Sequence, residues 1–396
     1  MIVRAFGLAA ATIVALVGGA SIASAQQVER NGNGYNVIAC ARGVGQGEAR
    51  CYARIKSDAR GNLFVGKNAI TPNAVPSGYG PADLRSAYNS PSSGGNGRVV
   101  AIVDAYGYSN AESDLAVYRA QYGLPACTTA NGCFKKVNQS GGTSYPRNNT
   151  GWDQEQALDL DMVSAMCPDC KILLVQTSST SLANLGAGAN EAAALGASVI
   201  SNSYGGGESG TSSYASAYNH PGVAVTVSSG DSGYGAQFPA TANTVIAVGG
   251  TSLTRASNTR GWSETAWNSG GSGCSTVYAK PSYETDSLCT MRMEADISAV
   301  GDPNTGVAVY GPGSTGKSQW MVFGGTSVAS PLIGGMYGVT GKTANGASTI
   351  FADSASGFND VTSGSNGSCG GTYFCTAGAG YDGPTGRGTP IGVAGL

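Results

Sequence analysis

The chain has 396 residues and a formal net charge of −2, and only 12% of its residues are charged. A chain of this length can bury a large core in one domain with a short extension. No basic patch stands out, which argues against nucleic acid as a partner. A surface with few charges also loses little when carboxylates are protonated, which would suit an acidic medium.

The first 25 residues are typical of a secretory signal peptide. Arg4 provides a short basic start, residues 5–22 are apolar, and Ala23-Ser24-Ala25 forms a small-residue cleavage site. A membrane anchor is the alternative, but the apolar run is short and ends without a charged stop. We therefore expect a mature chain that starts near Gln26, is secreted to the cell exterior or the periplasm, and has no membrane attachment after cleavage.

Residues 26–75 are polar and poorly periodic, which predicts a short propeptide or a surface extension before a main domain at residues 76–396. An even number of cysteines in a secreted chain indicates disulfides. Pairing by proximity predicts five bridges: Cys40–Cys51, Cys127–Cys133, Cys167–Cys170, Cys274–Cys289 and Cys369–Cys375. A metal site at Cys167 and Cys170 is disfavoured because no second Cys or His pair lies nearby.

Regular alternation of strands and helices begins near residue 99. The predicted strands are 99–104, 172–176, 198–203, 223–228, 245–248 and 320–323, and the predicted helices are 111–122, 154–166, 182–195 and 327–339. Short apolar strands separated by helices indicate an α/β fold with a mainly parallel central sheet and helices on both faces. Turns at 203–205, 229–231 and 325–327 follow strands, so we expect them to converge on one crevice beyond the carboxyl ends of the sheet.

The segment from Gly324 to Pro331 has the pattern of a nucleophile turn. Two glycines permit a tight turn, and Ser327 lies at a helix start, where free N–H groups favour negative charge. A serine nucleophile needs a base, and the only histidine is His220, in a loop-like context. A Ser-His-Asp arrangement of Asp104, His220 and Ser327 is one alternative.

Carboxylates offer another base. Glu155 and Asp159 are four residues apart on a predicted helix, so they share one face and could share a proton. The alternative is a solvated acidic face, although the apolar neighbours argue for burial. Asp231 follows a buried strand, where it could act in catalysis or simply cap a turn. A two-carboxylate glycosidase is disfavoured because Glu155 and Asp159 are too close to flank a sugar bond.

Taken together, these motifs resemble the sedolisin family, the serine-carboxyl peptidases. The nucleophile motif of that family is similar to Gly325-Thr326-Ser327 with Pro331. Its Glu-x-x-x-Asp helix is similar to the segment from Glu155 to Asp159, and its oxyanion aspartate corresponds to Asp231. The similarity runs from about residue 78 to the C-terminus. The nucleophile motif alone is shared with subtilisins, but the three motifs in order without a triad histidine are specific.

The resemblance implies a subtilisin-like fold and an acid-acting endopeptidase that cleaves polypeptides through an acyl-enzyme. Ser327 would be the nucleophile, Glu155 the base, Asp159 its partner and Asp231 the oxyanion donor. The resemblance also implies one structural Ca²⁺, bound by the residues Asp360, Val361, Gly378, Gly380 and Asp382. We expect a monomer, and the alternative to an enzyme is a secreted binding protein on a degenerate peptidase fold.

Two departures from the family pattern stand out. Family members usually carry a large N-terminal prodomain, whereas only a short stretch precedes residue 78 here. The substrate-strand motif Ser-Trp-Gly is Ser203-Tyr204-Gly205 in this sequence. A tyrosine can still form an aromatic wall, but we expect different pocket preferences.

Overall fold

The structure is a computed structural model that describes residues 27–41, 44–64, 76–342, 346–353 and 355–396. The signal peptide predicted at residues 1–25 lies outside this range. So do parts of the predicted extension, at residues 26, 42–43 and 65–75.

The strands are numbered in chain order. They are β1 Val28–Asn31, β2 Gly34–Ile38, β3 Arg50–Cys51, β4 Arg54–Ser57, β5 Val99–Ala105, β6 Phe134–Asn138, β7 Lys171–Thr177, β8 Val199–Asn202, β9 Tyr204–Gly207, β10 Ala224–Ser228, β11 Gln237–Phe238, β12 Ile246–Arg255, β13 Trp262–Ala266, β14 Gly273–Ala279, β15 Met291–Glu294, β16 Ile297–Val300, β17 Val307–Pro312, β18 Ser318–Gly324, β19 Phe358–Asn359 and β20 Thr389–Pro390. The helices are α1 Pro81–Tyr88, α2 Ala111–Gln121, α3 Thr150–Met166, α4 Leu182–Ala194, α5 Thr326–Thr340 and α6 Ser348–Ala352.

The central sheet has the order β13-β12-β10-β8-β5-β7-β6, with β16 also paired to β12. All of these pairings are parallel except that of β12 with β13. Helices α3 and α5 pack against each other and against β5, β8 and β10, and α4 packs on β5 and β7. Because both faces are covered, β8 and β10 are buried along their whole length. The predicted α/β fold, with a mainly parallel central sheet and helices on both faces, is confirmed.

A second sheet contains β18, the strand that leads to Ser327. Its order is β1-β2-β4-β18-β17, and all its pairings are antiparallel. The strand predicted at residues 320–323 is part of β18, so it lies in this sheet. Three strands of the predicted extension join it, with Ile55 of β4 opposite Phe323 of β18.

The predicted helix at residues 154–166 begins earlier, at Thr150. Its N-cap is Asn149, whose side-chain oxygen accepts a hydrogen bond from the Trp152 N–H at 3.3 Å. Because of this cap, α3 has one more turn before Glu155 than the prediction gave. The apolar periodicity of the sequence does not indicate that turn.

All five disulfides predicted by proximity are formed: Cys40–Cys51, Cys127–Cys133, Cys167–Cys170, Cys274–Cys289 and Cys369–Cys375. Each closes a short loop. In the described part of the chain, no helix combines the length and apolarity that crossing a membrane requires.

Candidate active site

Ser327 lies at the start of α5, directly after β18. The N-cap of the helix, Gly325, has φ = 103°, a value that favours glycine. Ser327 is fully buried, and its hydroxyl donates a hydrogen bond to the Ser203 carbonyl oxygen at 3.3 Å. The turn therefore points the hydroxyl into the space between α5, α3 and β9.

Glu155 and Asp159 of α3 face this space. Both are 0% exposed, so the alternative of a solvated acidic face is wrong. Glu155 Oε2 accepts a hydrogen bond from the Ala53 N–H at 2.7 Å, and Asp159 Oδ1 accepts one from the Ser203 hydroxyl at 2.8 Å. The Ser327 hydroxyl lies near enough to the Glu155 carboxyl to lower its pKa, while its hydrogen bond goes to the Ser203 carbonyl oxygen.

A third acid, Asp104, completes the cluster. It is the penultimate residue of β5 and is fully buried, and neither of its carboxyl oxygens has a hydrogen-bond partner among the described residues. Burial raises the pKa of Asp104 to about 8. The sequence placed Asp104 only in the Ser-His-Asp alternative. Its position at the carboxyl end of a predicted strand, where the sequence places the crevice, is the signal that could have assigned it to the site.

Burial also sets the protonation of the two α3 carboxyls. Desolvation raises the pKa of Glu155 well above its usual value, and the nearby Asp104 raises it further. The pKa of Asp159 is raised by burial, then by Asp104 and Glu155. Ionising all three neighbouring carboxyls at once would cost much electrostatic energy. At least one of them therefore stays protonated, and the proton can move between them.

Asp231 follows β10 and contacts the same turn. Its Oδ1 accepts hydrogen bonds from the Thr326 N–H at 2.8 Å and the Thr326 hydroxyl at 2.9 Å. Its Oδ2 accepts a hydrogen bond from Arg54 Nε at 2.8 Å, in an ion pair that is almost fully buried. Burial raises the pKa of Asp231, while the Arg54 charge and the Thr326 donors oppose that rise. Arg54 was missed at the sequence level because only the pairing of β4 with β18 brings it here.

His220 is not part of this cluster. It lies in a loop after the short 3₁₀ helix Ser212–Tyr218, where its Nε2 contacts the Ala217 carbonyl oxygen at 2.9 Å. Partial burial lowers the pKa of His220. The Ser327 hydroxyl instead has Ser203 and Glu155 as its neighbours, so the geometry does not support the Ser-His-Asp alternative.

The residues proposed for calcium lie in two neighbouring loops near the C-terminus. Asp360 Oδ2 accepts a hydrogen bond from the Gly380 N–H, and Asp382 Oδ2 accepts one from the Gly378 N–H, both at 2.9 Å. Burial raises the pKa of Asp382 to about 7, and Asp360 adds to this. Within the described ranges, no group of three or more His, Cys, Asp or Glu side chains is arranged to hold a metal.

Comparison with known proteins adds independent information. A family model described as the subtilase family matches residues 138–349. Kumamolisin from Bacillus sp. (strain MN-32) is 30% identical over 386 residues, covering 87% of this chain and 67% of kumamolisin. Sedolisin from Pseudomonas sp. (strain 101) is 34% identical over 203 residues, covering 42% of this chain and 33% of sedolisin.

A solved structure of Pseudomonas sedolisin, described as a serine-carboxyl proteinase complexed with two molecules of pseudo-iodotyrostatin, is similar in fold. Its TM-score is 0.67 at 25% identity, and the superposition covers 79% of this chain and 95% of that chain.

Proposed function

This chain belongs to the sedolisin family of subtilisin-like serine peptidases, and from that premise we propose that it is a secreted, acid-acting endopeptidase. Its catalytic residues would be Ser327, Glu155, Asp159 and Asp231. The observation that carries the proposal is the contact between Ser327 and Glu155 in a buried cluster of carboxyls. A carboxyl in this position can serve as the base that a histidine provides elsewhere.

The chemistry follows from these positions. Ser327 Oγ attacks a peptide carbonyl carbon and passes its proton to Glu155, which then protonates the leaving amine. Asp159 shares a proton with Glu155. It also accepts a hydrogen bond from the Ser203 hydroxyl, which orients the start of β9, the strand along which the substrate would bind. Protonated Asp231 donates a hydrogen bond to the oxyanion. Water then hydrolyses the acyl-enzyme.

The working pH follows from the roles of two carboxyls. Glu155 must accept a proton, while Asp231 must keep one in order to donate it. As the pH rises, Asp231 ionises, repels the oxyanion and pairs more strongly with Arg54. Activity should therefore be greatest in acid and fall towards neutrality.

We further propose that residues 76–396 form the peptidase domain and that one structural Ca²⁺ binds near the C-terminus. Asp360 and Asp382 would supply carboxylate oxygens, and Val361, Gly378 and Gly380 would supply carbonyl oxygens. An all-oxygen set of this kind suits a hard cation, and a bound cation would offset the repulsion by which Asp360 raises the pKa of Asp382. The ion would stabilise these loops and take no part in the reaction.

The decisive experiment is a pH–activity profile on casein, with the mature N-terminus determined by mass spectrometry. We expect a maximum near pH ~4, where unperturbed carboxyls titrate, and no activity in Ser327→Ala. His220→Ala is the matched control and should keep full activity. Asp231→Asn should lower kcat by about 10²–10³ and flatten the loss towards neutral pH.

Each alternative predicts a different result. A neutral or alkaline maximum together with inactive His220→Ala would establish the Ser-His-Asp arrangement instead. Absence of any hydrolysis by a folded, processed chain would favour a binding protein on a degenerate peptidase fold.

A further inference from the structure

The side chain of Tyr52 marks a pocket beside Ser327. The Tyr52 N–H donates a hydrogen bond to the Ser203 carbonyl oxygen at 3.4 Å, and the Ser327 hydroxyl donates one to the same oxygen at 3.3 Å. The N–H of the next residue, Ala53, donates to Glu155 Oε2 at 2.7 Å. Tyr52 therefore lies where the residue before a cleaved bond would lie in a substrate, and its side chain shows where the side chain of that residue would fit.

This pocket is deep enough for an aromatic ring and ends at a polar group. Tyr52 is 1% exposed, and its hydroxyl donates a hydrogen bond to Gln237 Oε1. The ring lies against Gly205, where an added methyl group would clash with the Tyr52 hydroxyl oxygen and lie 3.0 Å from the Phe238 carbonyl oxygen. Glycine at position 205 therefore leaves the depth that the ring needs, and the Gln237 side chain forms the floor of the pocket.

Gln237 is held in place by its backbone and by packing. It begins the short strand β11, which pairs antiparallel with β9, with Gln237 opposite Gly207. Its carbonyl oxygen accepts a hydrogen bond from the Thr241 N–H at 3.0 Å. Its side-chain amide packs against Gly230, where an added methyl group would lie 3.2 Å from the amide carbon. The amide therefore has little freedom to turn away from the pocket.

A buried carboxyl lies behind this floor. Glu294, the last residue of β15, is 0% exposed. Its Oε1 accepts a hydrogen bond from the Gln237 N–H at 3.0 Å, and its Oε2 has no hydrogen-bond partner among the described residues. Burial raises the pKa of Glu294 well above its usual value, although the Gln237 N–H and the Arg292 charge lower it. In acid Glu294 is therefore protonated, and the pair of Gln237 and Glu294 carries no net charge.

A floor of this kind needs a neutral hydrogen-bond donor. Burial raises the pKa of the Tyr52 hydroxyl, so the hydroxyl keeps its proton and donates it to Gln237. A phenylalanine side chain would fill the same space but leave the Gln237 amide oxygen buried without a partner, which lowers affinity. A lysine side chain would bring a charge that the neutral pair does not offset.

We propose that Gln237 is the specificity-determining residue of this pocket and that it selects tyrosine over phenylalanine before the cleaved bond of a polypeptide substrate. Glu294 is the positioning residue that fixes the Gln237 backbone. The proposal rests on the proposed function and deepens it, because it names the substrate class of the same site. A site that hydrogen-bonds a substrate hydroxyl discriminates against the analogue that lacks it, since the polar group of the site is then left unpaired.

The test uses the full chain, in the acidic buffer of the casein assay, and three synthetic peptides. The peptides differ only in the residue before one bond, which is tyrosine, phenylalanine or lysine, and mass spectrometry of the products verifies the cut. We expect kcat/KM to be about tenfold to a hundredfold higher for tyrosine than for phenylalanine, and lowest for lysine. Equal values for tyrosine and phenylalanine, or a preference for lysine, would overturn the assignment, while casein hydrolysis would leave the proposed function standing. If neither casein nor any peptide is cleaved, both proposals fail.

Variants at Gln237 separate selection from folding. Gln237→Leu removes the amide and should reduce the ratio of kcat/KM for the tyrosine and phenylalanine peptides to about one. Gln139→Leu makes the same change in the turn after β6 and should keep the wild-type ratio. Partial unfolding lowers the rates for both peptides by the same factor. An unchanged ratio in Gln237→Leu would therefore overturn the assignment, whatever the absolute rates.

The positioning role of Glu294 has its own comparison. Glu294→Gln keeps a side-chain acceptor for the Gln237 N–H and should retain most of the tyrosine-to-phenylalanine ratio, whereas Glu294→Leu removes that acceptor and should lower the ratio several-fold. A merely structural role would lower kcat/KM for both peptides equally. Equal ratios in the two Glu294 variants would contradict the positioning role.

Discussion

At the scale of single residues, burial decides what each acid can do. Asp104, Glu155 and Asp159 are all fully buried; Asp104 raises the pKa of both α3 carboxyls, and Glu155 raises that of Asp159. Asp231 is equally buried, but it faces Arg54 and two donors from Thr326. Buried carboxyls therefore have two environments in this site. In the cluster of Asp104, Glu155 and Asp159, burial and mutual repulsion favour the protonated form. At Asp231, burial favours the protonated form, while Arg54 and the Thr326 donors favour the ionised form.

Asp104 links this cluster to the pH dependence of stability. Its folded pKa of about 8 lies above the unfolded value, so the stability it contributes is complete in acid and is lost as the pH rises towards 8. One such proton lowers the free energy of unfolding by up to about 1.4 kcal/mol per pH unit. Asparagine does not titrate. In Asp104→Asn, the free energy of unfolding should therefore fall less steeply than in the wild type as the pH rises from the unfolded pKa of Asp104 to its folded pKa.

Urea unfolding at several pH values between the two pKa values measures this slope. Asp58→Asn is the matched control: the Asp58 pKa is lowered by hydrogen bonds from Asn62, so this carboxyl stays ionised throughout the window. Parallel curves for the wild type and Asp104→Asn would show that Asp104 is not the group that titrates.

At the scale of elements, the spacing between α3 and α5 sets the distance from Glu155, the proposed base, to Ser327, the proposed nucleophile. The two helices pack closely because α5 is rich in small residues. A methyl group on Gly335 would lie 2.8 Å from Met166 Cβ and 3.4 Å from the Val163 carbonyl oxygen. The neighbouring Gly334 has more room, since its methyl group would lie 3.2 Å from Thr226 Oγ1.

Gly335→Ala should therefore destabilise the protein by about 1–3 kcal/mol, the usual cost of overpacking, although alanine is the better helix former. Gly334→Ala is the control on the same helix and should lose less. Chemical denaturation of both variants measures the difference. Equal stabilisation of the two would mean that helix propensity, not the α3–α5 contact, governs these positions.

At the scale of the whole molecule, distant parts of the chain close the structure around the site. The extension supplies three strands to the sheet of β18, and the C-terminal loops carry the proposed calcium ligands. A bound ion stabilises the folded state, by about 2.7 kcal/mol at a hundred times its Kd. Removing Ca²⁺ with EGTA should therefore lower the Tm.

The matched variant for this prediction is Asp382→Asn, which weakens the proposed site beforehand. Its Tm should respond little to EGTA, whereas the wild type should lose several degrees. A wild-type Tm that does not move with chelator would remove the Asp360 and Asp382 site from the proposal.

Local patterns were enough for the fold class, the five disulfides, and the positions of Ser327, Glu155, Asp159 and Asp231 at turns or on one helix face. Each of these depends on residues close together in the chain: apolar runs, a helical spacing of four, cysteines a short loop apart, and glycines before a helix start. A short polar extension with little periodicity carries no comparable signal.

Only the tertiary structure decided which groups meet across the site. Asp104 reaches Glu155 because β5 lies beside α3, and Arg54 reaches Asp231 because β4 adds to β18. The placement of Tyr52 and Ala53 beside Ser203 and Glu155 has the same origin. Pairing between strands far apart in the chain is made by backbone hydrogen bonds. Since nearly every residue type can form these bonds, the side chains do not indicate which strands will pair. The positions of Ser327 and of the acids proposed to act with it could therefore be predicted from sequence, whereas the segment that lies across them could not.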